Sequence, residues 1–319
     1  MEFVERTDYN KVITIKLVIP SGCNANCRFC YMKDNNLSMQ YDRQVFLERF
    51  ISSICEVLNK IDNKNPVSLD ITGNEPTYDP ELLNEVLERI RTSGIKKRFS
   101  RVTITSNGYR MVEVIPYLQN VVDYVNLSIH DFRRRERQNI MGWAGLSDQE
   151  YQRIVQGLKH CGITTSAVSV IHKPVENFKD WSHEFVEWCK SIGFIALRFR
   201  CDVFWKDQLL FDAYMEDEIS DSQYTVITHE TTSDSHWCRL RRYDGFRVFF
   251  LHGVRDTSLL TKGIEYVVSD DGIAYCDFYK RTKLSEYQYE VGKIYDATQP
   301  RVICSPAENC AISDASGPS

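Results

Sequence analysis

Strand-like and helix-like segments alternate along residues 11–200, and this alternation is the feature that most limits the fold. Six short apolar runs rich in β-branched residues are separated by segments with helical periodicity. Because strands and helices alternate, the pattern predicts a parallel sheet with the helices outside it. The predicted strands cover 12–20, 66–72, 101–108, 123–131, 163–171 and 194–200.

Helix signals support the same arrangement. In the second helical segment Asp79 is a predicted N-cap, Pro80 occupies the first helical position and Gly94 lies just past the end. Six strand–helix units are too few for a closed eight-unit barrel, which needs about 250 residues. The predicted fold class is therefore α/β, a partial, open (β/α)6 barrel. The predicted helices cover 43–60, 80–93, 112–120, 148–161 and 177–191.

The alternation of strand-like and helix-like segments ends near residue 215. Short strand candidates broken by Gly and Asp follow, namely QYTVIT, FRVFFL, GIEYVVS and GIAYCDF. We therefore predict two parts, a barrel core at 1–215 and a small β-rich C-terminal extension at 216–319.

Composition limits the environment of the protein. The chain has 319 residues, 43% hydrophobic and 26% charged, with a net charge of −5, which is typical of a soluble globular protein and does not favour a nucleic-acid surface. There is no signal peptide and no apolar run near the ~20 residues of a membrane span. We expect a cytoplasmic protein, where the eleven cysteines point to metal or redox chemistry rather than disulfides.

The stretch SGCNANCRFCYM places Cys23, Cys27 and Cys30 on one loop between the first strand and the first helix. Three thiolates at this spacing can ligate three irons of a [4Fe-4S] cluster, which leaves the fourth iron open to a substrate or cofactor. The alternatives are a structural zinc site that lacks a ligand, or buried thiols.

This loop resembles the C-x3-C-x-Φ-C signature of the radical S-adenosylmethionine (SAM) superfamily, with Phe29 as the aromatic Φ. The resemblance implies that the open iron binds the amino and carboxylate groups of SAM. Reductive cleavage of SAM would then give a 5′-deoxyadenosyl radical that abstracts hydrogen from a substrate. The expected cofactors are one SAM-binding [4Fe-4S] cluster and SAM.

The segment TGNEPT, at the end of the second strand, resembles the G-G-E-P motif of that superfamily. The resemblance implies that backbone carbonyls and Glu75 contact the amino group of SAM. Gly73 and Glu75 match the motif, whereas Asn74 replaces its second glycine. That replacement adds a side chain at a close-packed turn.

Polar residues near other strand ends are further candidates for the SAM site, because barrels of this kind carry their active sites there. Arg198 could pair with the SAM carboxylate or with a substrate anion. His130 could accept a proton or contact substrate, although a plain polar role is the favoured interpretation. The basic run 132–138 is interpreted as a solvated loop or helix face. The resemblance implies that the ribose hydroxyls and carboxylate of SAM lie near these strand ends, and the candidates for these contacts are Ser106, Asn107, Ser128 and Ser169.

Four cysteines in the extension, Cys238, Cys276, Cys304 and Cys310, could hold a second, closed [4Fe-4S] cluster. Their surroundings resemble the SPASM and twitch extensions of radical SAM enzymes, with imperfect spacing. The alternative is that Cys304 and Cys310 are free thiols. Cys238 and Cys201 are candidate catalytic hydrogen donors to a substrate radical.

The resemblance implies a radical SAM enzyme acting on a small metabolite such as a nucleotide, sugar or cofactor precursor. One alternative is an enzyme that modifies ribosomal peptides, although only 22 residues precede Cys23, and we expect no N-terminal leader-binding domain. Another is a non-enzymatic iron–sulfur electron carrier or sensor. The expected partners are the substrate and a reductant such as flavodoxin or ferredoxin, without a membrane; nucleic acid is not favoured.

Overall fold

The computed structural model describes residues 12–30, 32, 42–61, 66–143, 145–202, 208–231, 236–252, 265–275, 283–284, 302–303 and 311–312. The strands are β1 (Ile13–Ile19), β2 (Val67–Gly73), β3 (Arg101–Ser106), β4 (Tyr124–Ser128), β5 (Thr164–Ile171), β6 (Ala196–Cys201), β7 (Tyr224–Thr231), β8 (His236–Arg242), β9 (Arg247–His252), β10 (Glu265–Val268), β11 (Ala274–Tyr275), β12 (Val302–Ile303) and β13 (Ala311–Ile312). The helices are α1 (Arg43–Lys60), α2 (Pro80–Thr92), α3 (Met111–Leu118), α4 (Arg134–Met141), α5 (Asp148–His160), α6 (Phe178–Ile192) and α7 (Gln208–Ser220).

One sheet of eleven strands organises the described residues, in the order β11-β10-β1-β2-β3-β4-β5-β6-β9-β8-β7. Strands β1 to β6 follow chain order and are all parallel. The predicted α/β fold with an open parallel sheet is therefore confirmed. Strands β1 and β6 do not pair with each other, because β10 pairs with the free edge of β1 and β9 with that of β6.

The C-terminal strands extend the same sheet. Both β10 and β9 run parallel to their neighbours, and β8 and β7 add antiparallel strands beyond β9. The division of the chain at residue 215 remains a prediction. Strands β12 and β13 form a separate antiparallel pair.

Helices α4 and α7 and strands β8, β12 and β13 were not predicted from the sequence. Helix α4 lies in the basic run 132–138 and beyond, where only Ile140 and Met141 supply buried apolar side chains. Helix α7 precedes β7, and β8 has the charged sequence HWCRLRR, which lacks the strand signals used for its neighbours.

The two faces of the sheet differ in chemistry. Ile13, Ile15, Leu17 and Ile19 alternate along β1 and pack into the main hydrophobic core with α1 and the other outer helices. We call the opposite side the inner face. Because side chains alternate along a strand, the inner face receives the other set of residues. This set includes Lys16, Asp70, Asn126, Ser166 and Arg198.

Both ends of helix α2 have the capping residues that the sequence predicts. The side chain of Asp79 accepts a hydrogen bond from the backbone N–H of Leu82 at 2.9 Å, and Pro80 begins the helix. Gly94 has a φ of +70° just after the helix ends. These features are the predicted N-cap and C-terminal glycine.

No helix within the described ranges is long and apolar enough to cross a membrane.

Among the glycines at strand ends, Gly73 is expected to be the one whose substitution destabilises the protein most. Its φ is +136°, and an added Cβ would lie 2.8 Å from the carbonyl oxygen of Ile19. Gly73→Ala should lower the free energy of unfolding by about 2–5 kcal/mol, from backbone strain plus overpacking. Urea denaturation measures this loss.

Gly94→Ala is the matched control, because its φ is also positive but nothing lies within 4 Å of the added Cβ. It should cost about 1 kcal/mol, from backbone strain alone. Equal losses for the two variants would contradict the close approach at Gly73.

Candidate active site

The loop with Cys23, Cys27 and Cys30 is held by helix α4. The N–H of Asn26 donates to the carbonyl of Met141 at 2.6 Å, and that of Arg28 to the carbonyl of Ile140 at 3.4 Å. These carbonyls lie at the C-terminal end of α4, where the last four carbonyls have no partner within the helix. The loop therefore satisfies carbonyl groups that the helix leaves open.

The three cysteines form no disulfide and differ in exposure. Cys23 is exposed and its Sγ accepts a hydrogen bond from the N–H of Ala25 at 3.3 Å, whereas Cys27 and Cys30 are half-buried. Cys27 packs beside Phe29 on a small cluster that includes Ala25 and Met141.

Cys30 lies on the other side of the loop. It packs against Val18 of β1, Met32 and Val267 of β10. Both strand residues belong to the inner face. The loop thus spans from α4 to the inner face of β1 and β10.

The end of β2 fixes the other side of this loop. The side-chain amide of Asn74 donates to the carbonyl of Ser21 at 2.9 Å, and the N–H of Glu75 to the carbonyl of Gly22 at 3.1 Å. In return, the Ser21 hydroxyl donates to the carbonyl of Glu75 at 2.7 Å. Asn74, which departs from the family motif, therefore ties the strand end to the cysteine loop.

The carboxylate of Glu75 is buried, with 1% exposure. It accepts from the N–H and hydroxyl of Thr77 at 3.0 and 2.7 Å, the hydroxyl of Ser106 at 2.7 Å and the N–H of Asn107 at 2.6 Å. Burial raises the pKa of Glu75 above its usual value, although each of these donors lowers it.

Glu75 therefore joins the ends of β2 and β3. Its contact with the amino group of SAM remains a prediction, and the structure shows an anchoring role in addition. Asn107 continues the connection, because its side-chain amide donates to Oδ1 of Asn24 in the cysteine loop at 2.9 Å.

Ser128 is the sequence candidate whose position best fits a ligand contact. It ends β4 and shares the inner face with Asn126, as its alternation with the buried Val125 and Leu127 requires. Ser106 is buried, and its hydroxyl is used by Glu75 and by the N–H of Gly108 at 2.9 Å. Its SAM contact remains a prediction.

Ser169 and Arg198 lie elsewhere than expected. Ser169 is fully buried on the helix side of β5, where its hydroxyl donates to the carbonyl of His130 at 3.4 Å. Arg198 lies on the inner face, but its guanidinium reaches Ser166 at 3.3 Å and Tyr124 at 3.5 Å, towards the N-terminal ends of the strands. These positions do not favour contacts with SAM at the C-terminal ends.

Phe29 lies between two histidines. Its ring centroid is 4.7 Å from that of His130 and 4.9 Å from that of His172. Nδ1 of His130 accepts the N–H of Val170 at 3.1 Å, so neutral His130 carries its proton on Nε2. Burial lowers the pKa of His130 to about 3, with a further contribution from His172. The neutral ring therefore offers an N–H donor rather than a general base.

His172 was missed by the sequence analysis. It directly follows β5, as His130 follows β4, and burial also lowers its pKa. The signal that could have identified His172 in the sequence is that it is a polar residue directly after a predicted strand.

The candidate hydrogen donors lie in the core. Cys238 and Cys201 are buried among the residues that pack against the helices. Burial raises the pKa of the Cys238 thiol to about 12. The structure therefore does not favour Cys238 as an iron ligand or either thiol as a donor to a substrate on the inner face. Cys276, Cys304 and Cys310 lie outside the described residues, so the second cluster remains a prediction.

The cysteine loop suits an iron–sulfur cluster by the chemistry of its donors. It offers three cysteines that form no disulfide, on a loop fixed at both sides, and thiolate is the ligand type that such clusters use. Within the described ranges, no three His, Cys, Asp or Glu side chains lie close enough to hold a single metal ion.

Comparison with known families agrees with this chemistry. The model of the radical SAM superfamily matches residues 17–185, which is more than half of the chain. The chain belongs to the radical SAM superfamily. It is therefore an enzyme whose cofactors are a [4Fe-4S] cluster and SAM.

Curated relatives are similar over part of their length. GTP 3′,8-cyclase of Actinobacillus pleuropneumoniae serotype 5b is 29% identical over 147 residues, which cover 46% of this chain and 39% of the relative. The 7-carboxy-7-deazaguanine synthase of Thermococcus kodakarensis is 26% identical over 187 residues, covering 54% of this chain and 67% of the relative. The match thus spans about two fifths of the cyclase.

Among solved structures, coproporphyrinogen III oxidase from Escherichia coli, described as a radical SAM enzyme, is similar with a TM-score of 0.44. It is 12% identical, and the match covers 68% of this chain and 54% of the oxidase.

Glu75→Gln tests the anchoring role of the buried carboxylate. Glutamine keeps one acceptor oxygen and presents an NH2 group to the remaining donors, so the free energy of unfolding should fall by about 1–3 kcal/mol at pH 7. Burial raises the pKa of Glu75 in the folded protein. The folded protein therefore binds the carboxyl proton of Glu75 more tightly than the unfolded chain does. The contribution of Glu75 to stability should therefore decrease as pH rises above 4.5.

Denaturation of both proteins between pH 4.5 and pH 8 measures the difference. Glu113→Gln is the control, since Glu113 is an exposed carboxylate that pairs with Arg110 on the surface. If the Glu75→Gln variant were as stable as the Glu113→Gln variant at every pH, the anchoring role would be disproved.

Proposed function

We propose that this radical SAM enzyme abstracts hydrogen from a small anionic metabolite, with nucleotides as the first candidates. The observation that carries the proposal is the position of the cysteine loop. The loop packs on the inner face at Val18 and Val267, and that same face carries the cationic side chain of Arg198. A substrate on the inner face would lie below a cofactor held by the loop.

The residues of the site have separate roles in this proposal. Cys23, Cys27 and Cys30 would hold three irons. When bound, the cluster supplies the electron that cleaves SAM to methionine and a 5′-deoxyadenosyl radical. The aromatic group of Phe29 and His130 would shield the site from water, and Ser128 would donate or accept a hydrogen bond to SAM at the inner face.

Charge supports a small anionic substrate. Arg198 places its guanidinium 4.4 Å from the ring centroid of Phe249 and 5.4 Å from that of Tyr124. A cation between two aromatic rings is held in one orientation. Such a surface suits a ligand with both an anionic group and a planar ring, as a nucleotide has. The names of the two curated relatives, which include GTP and a deazaguanine, support the same class.

The reductant is part of the proposal. Cleavage of SAM needs one electron from outside the chain, and flavodoxin or ferredoxin is the expected donor class.

Cys27→Ala should abolish SAM cleavage. Anaerobically reconstituted wild-type protein with dithionite and SAM is expected to release 5′-deoxyadenosine, whereas the variant should bind less iron and release none, because one of three ligands is missing. Liquid chromatography of the product and an iron assay measure both effects.

Cys55→Ala is the matched control, because Cys55 is a free, exposed thiol on α1 away from the loop. It should keep both the iron and the product of the wild type. A wild-type protein that carries iron but leaves SAM intact would rule out the proposed hydrogen abstraction.

Deuterium transfer tests the substrate class. Nucleotides deuterated in the ribose are incubated with reduced enzyme and SAM, and mass spectrometry follows the label. A nucleotide substrate should pass deuterium to 5′-deoxyadenosine, since the abstracted atom ends on that product. Label transfer from a peptide or a neutral sugar, with none from any nucleotide, would exclude the anionic class.

A further inference from the structure

Three adjacent strands, β6, β9 and β8, are rich in arginine and contain no acidic residue. Their sequences are ALRFRC, RVFFLH and HWCRLRR. Arg242 lies on the helix side, where its Nη1 is 2.8 Å from the Glu187 carboxylate. The register places the other arginines on the inner face, opposite the core residues Cys238, Leu240, Val248 and Phe250. These arginines are Arg198, Arg200, Arg239, Arg241 and Arg247.

Arg239 is the exceptional member of this group. Its side chain is buried, with 3% exposure. Its Nη2 donates to the hydroxyl of Thr228 at 2.9 Å, while its Nε has no hydrogen-bond partner. None of the acidic side chains that the structure describes forms an ion pair with it.

A buried guanidinium with an unpaired donor and no ion-pair partner destabilises the folded state. Arginine cannot lose its proton, and each buried donor without an acceptor destabilises the fold. Arg137 is also fully buried and its Nε also lacks a partner, but its terminal nitrogens donate to the carbonyls of Asp131, Phe132 and Leu146. Its Nη2 also lies 3.6 Å from the carboxylate of Asp148. Among the described residues, Arg239 has a hydrogen bond to the hydroxyl of Thr228 and neither a carbonyl nor a carboxylate partner, so its charge is not balanced by a described anion.

The neighbours of Arg239 place it beside the proposed substrate surface. Phe249 is its direct partner on β9 and also the partner of Arg198 on β6. Adjacent strands are about 4.8 Å apart, so the backbones of the two arginines are about 10 Å apart with Phe249 between them. A ligand of nucleotide size can span that distance.

We propose that Arg239 binds a phosphate group of the substrate on the inner face, next to Phe249 and Arg198. The inference rests on the proposed function, because it assigns the anionic end of the same substrate. The planar guanidinium fork matches two oxygens of a phosphate. Phosphate would supply the acceptors and the negative charge that the described side chains around Arg239 do not provide.

Thermal unfolding of the reconstituted full chain, under anaerobic conditions, tests this site. The probes are inorganic phosphate, inorganic triphosphate and malonate, each titrated to saturation. The variants are Arg239→Met and Arg239→Lys, and the control is Arg153→Met, which changes an exposed arginine on α5.

The wild type and the Arg153 control should show a saturable rise in melting temperature with phosphate or triphosphate, because the ligand binds only the folded state. Arg239→Met should be at least as stable as the wild type without anion, since it removes a buried unpaired charge, and should lose the rise. Arg239→Lys keeps the charge without the fork, so its apparent affinity should fall by about tenfold.

A wild type without a saturable shift would overturn the proposal, as would an equal shift in Arg239→Met. A shift with malonate alone would replace phosphate by a carboxylate and would also overturn it. If Arg239→Met does not fold, the wild-type titration and Arg239→Lys decide.

Release of 5′-deoxyadenosine, measured separately, tests the proposed function. A rise in melting temperature with phosphate, without release of 5′-deoxyadenosine, would support the anion site and contradict the proposed reaction. Release of 5′-deoxyadenosine without a rise in melting temperature would support the proposed reaction and overturn the anion site.

Discussion

Four hydrogen bonds converge on the buried carboxylate of Glu75, and they determine how the strand ends meet the cysteine loop. A buried carboxylate requires donors, because its charge loses the stabilisation of water. Here the donors come from Thr77 just after β2 and from Ser106 and Asn107 at the end of β3. Asn107 then donates to Asn24, so the loop is held by the same set of contacts.

The later strands of the chain pair with both edges of the sheet formed by β1 to β6. A six-stranded open sheet would leave unpaired backbone groups at both edges. β10 and β9 pair with those edges, and residues beyond the segment matched by the superfamily model complete the inner face. Arg239 comes from this later part. The cysteine loop therefore belongs to the segment shared with the superfamily, while the inner face includes strands outside it.

The sequence was most informative where local patterns are strong. Strands β1 to β6 have apolar runs, and α2 carries its cap residue Asp79 and its terminal Gly94, so their bounds were predicted closely. Helix α4 was missed because its buried residues Ile140 and Met141 pack on Ala25, more than a hundred positions away. That contact leaves no periodic pattern in the helix itself.

The sequence alone determined that Cys23, Cys27 and Cys30 share one loop and that the parallel strands follow in chain order, because both depend on spacing along the chain. The iron-binding role of these cysteines is a prediction from the same spacing. Only the tertiary structure decided which way the strand side chains point. Ser169 and Cys238 lie on the helix side and Arg239 on the inner face, because alternation along a strand turns each residue to one side and only pairing fixes the register. The anchoring role of Glu75 was likewise decided in three dimensions, since its donors include residues about thirty positions away.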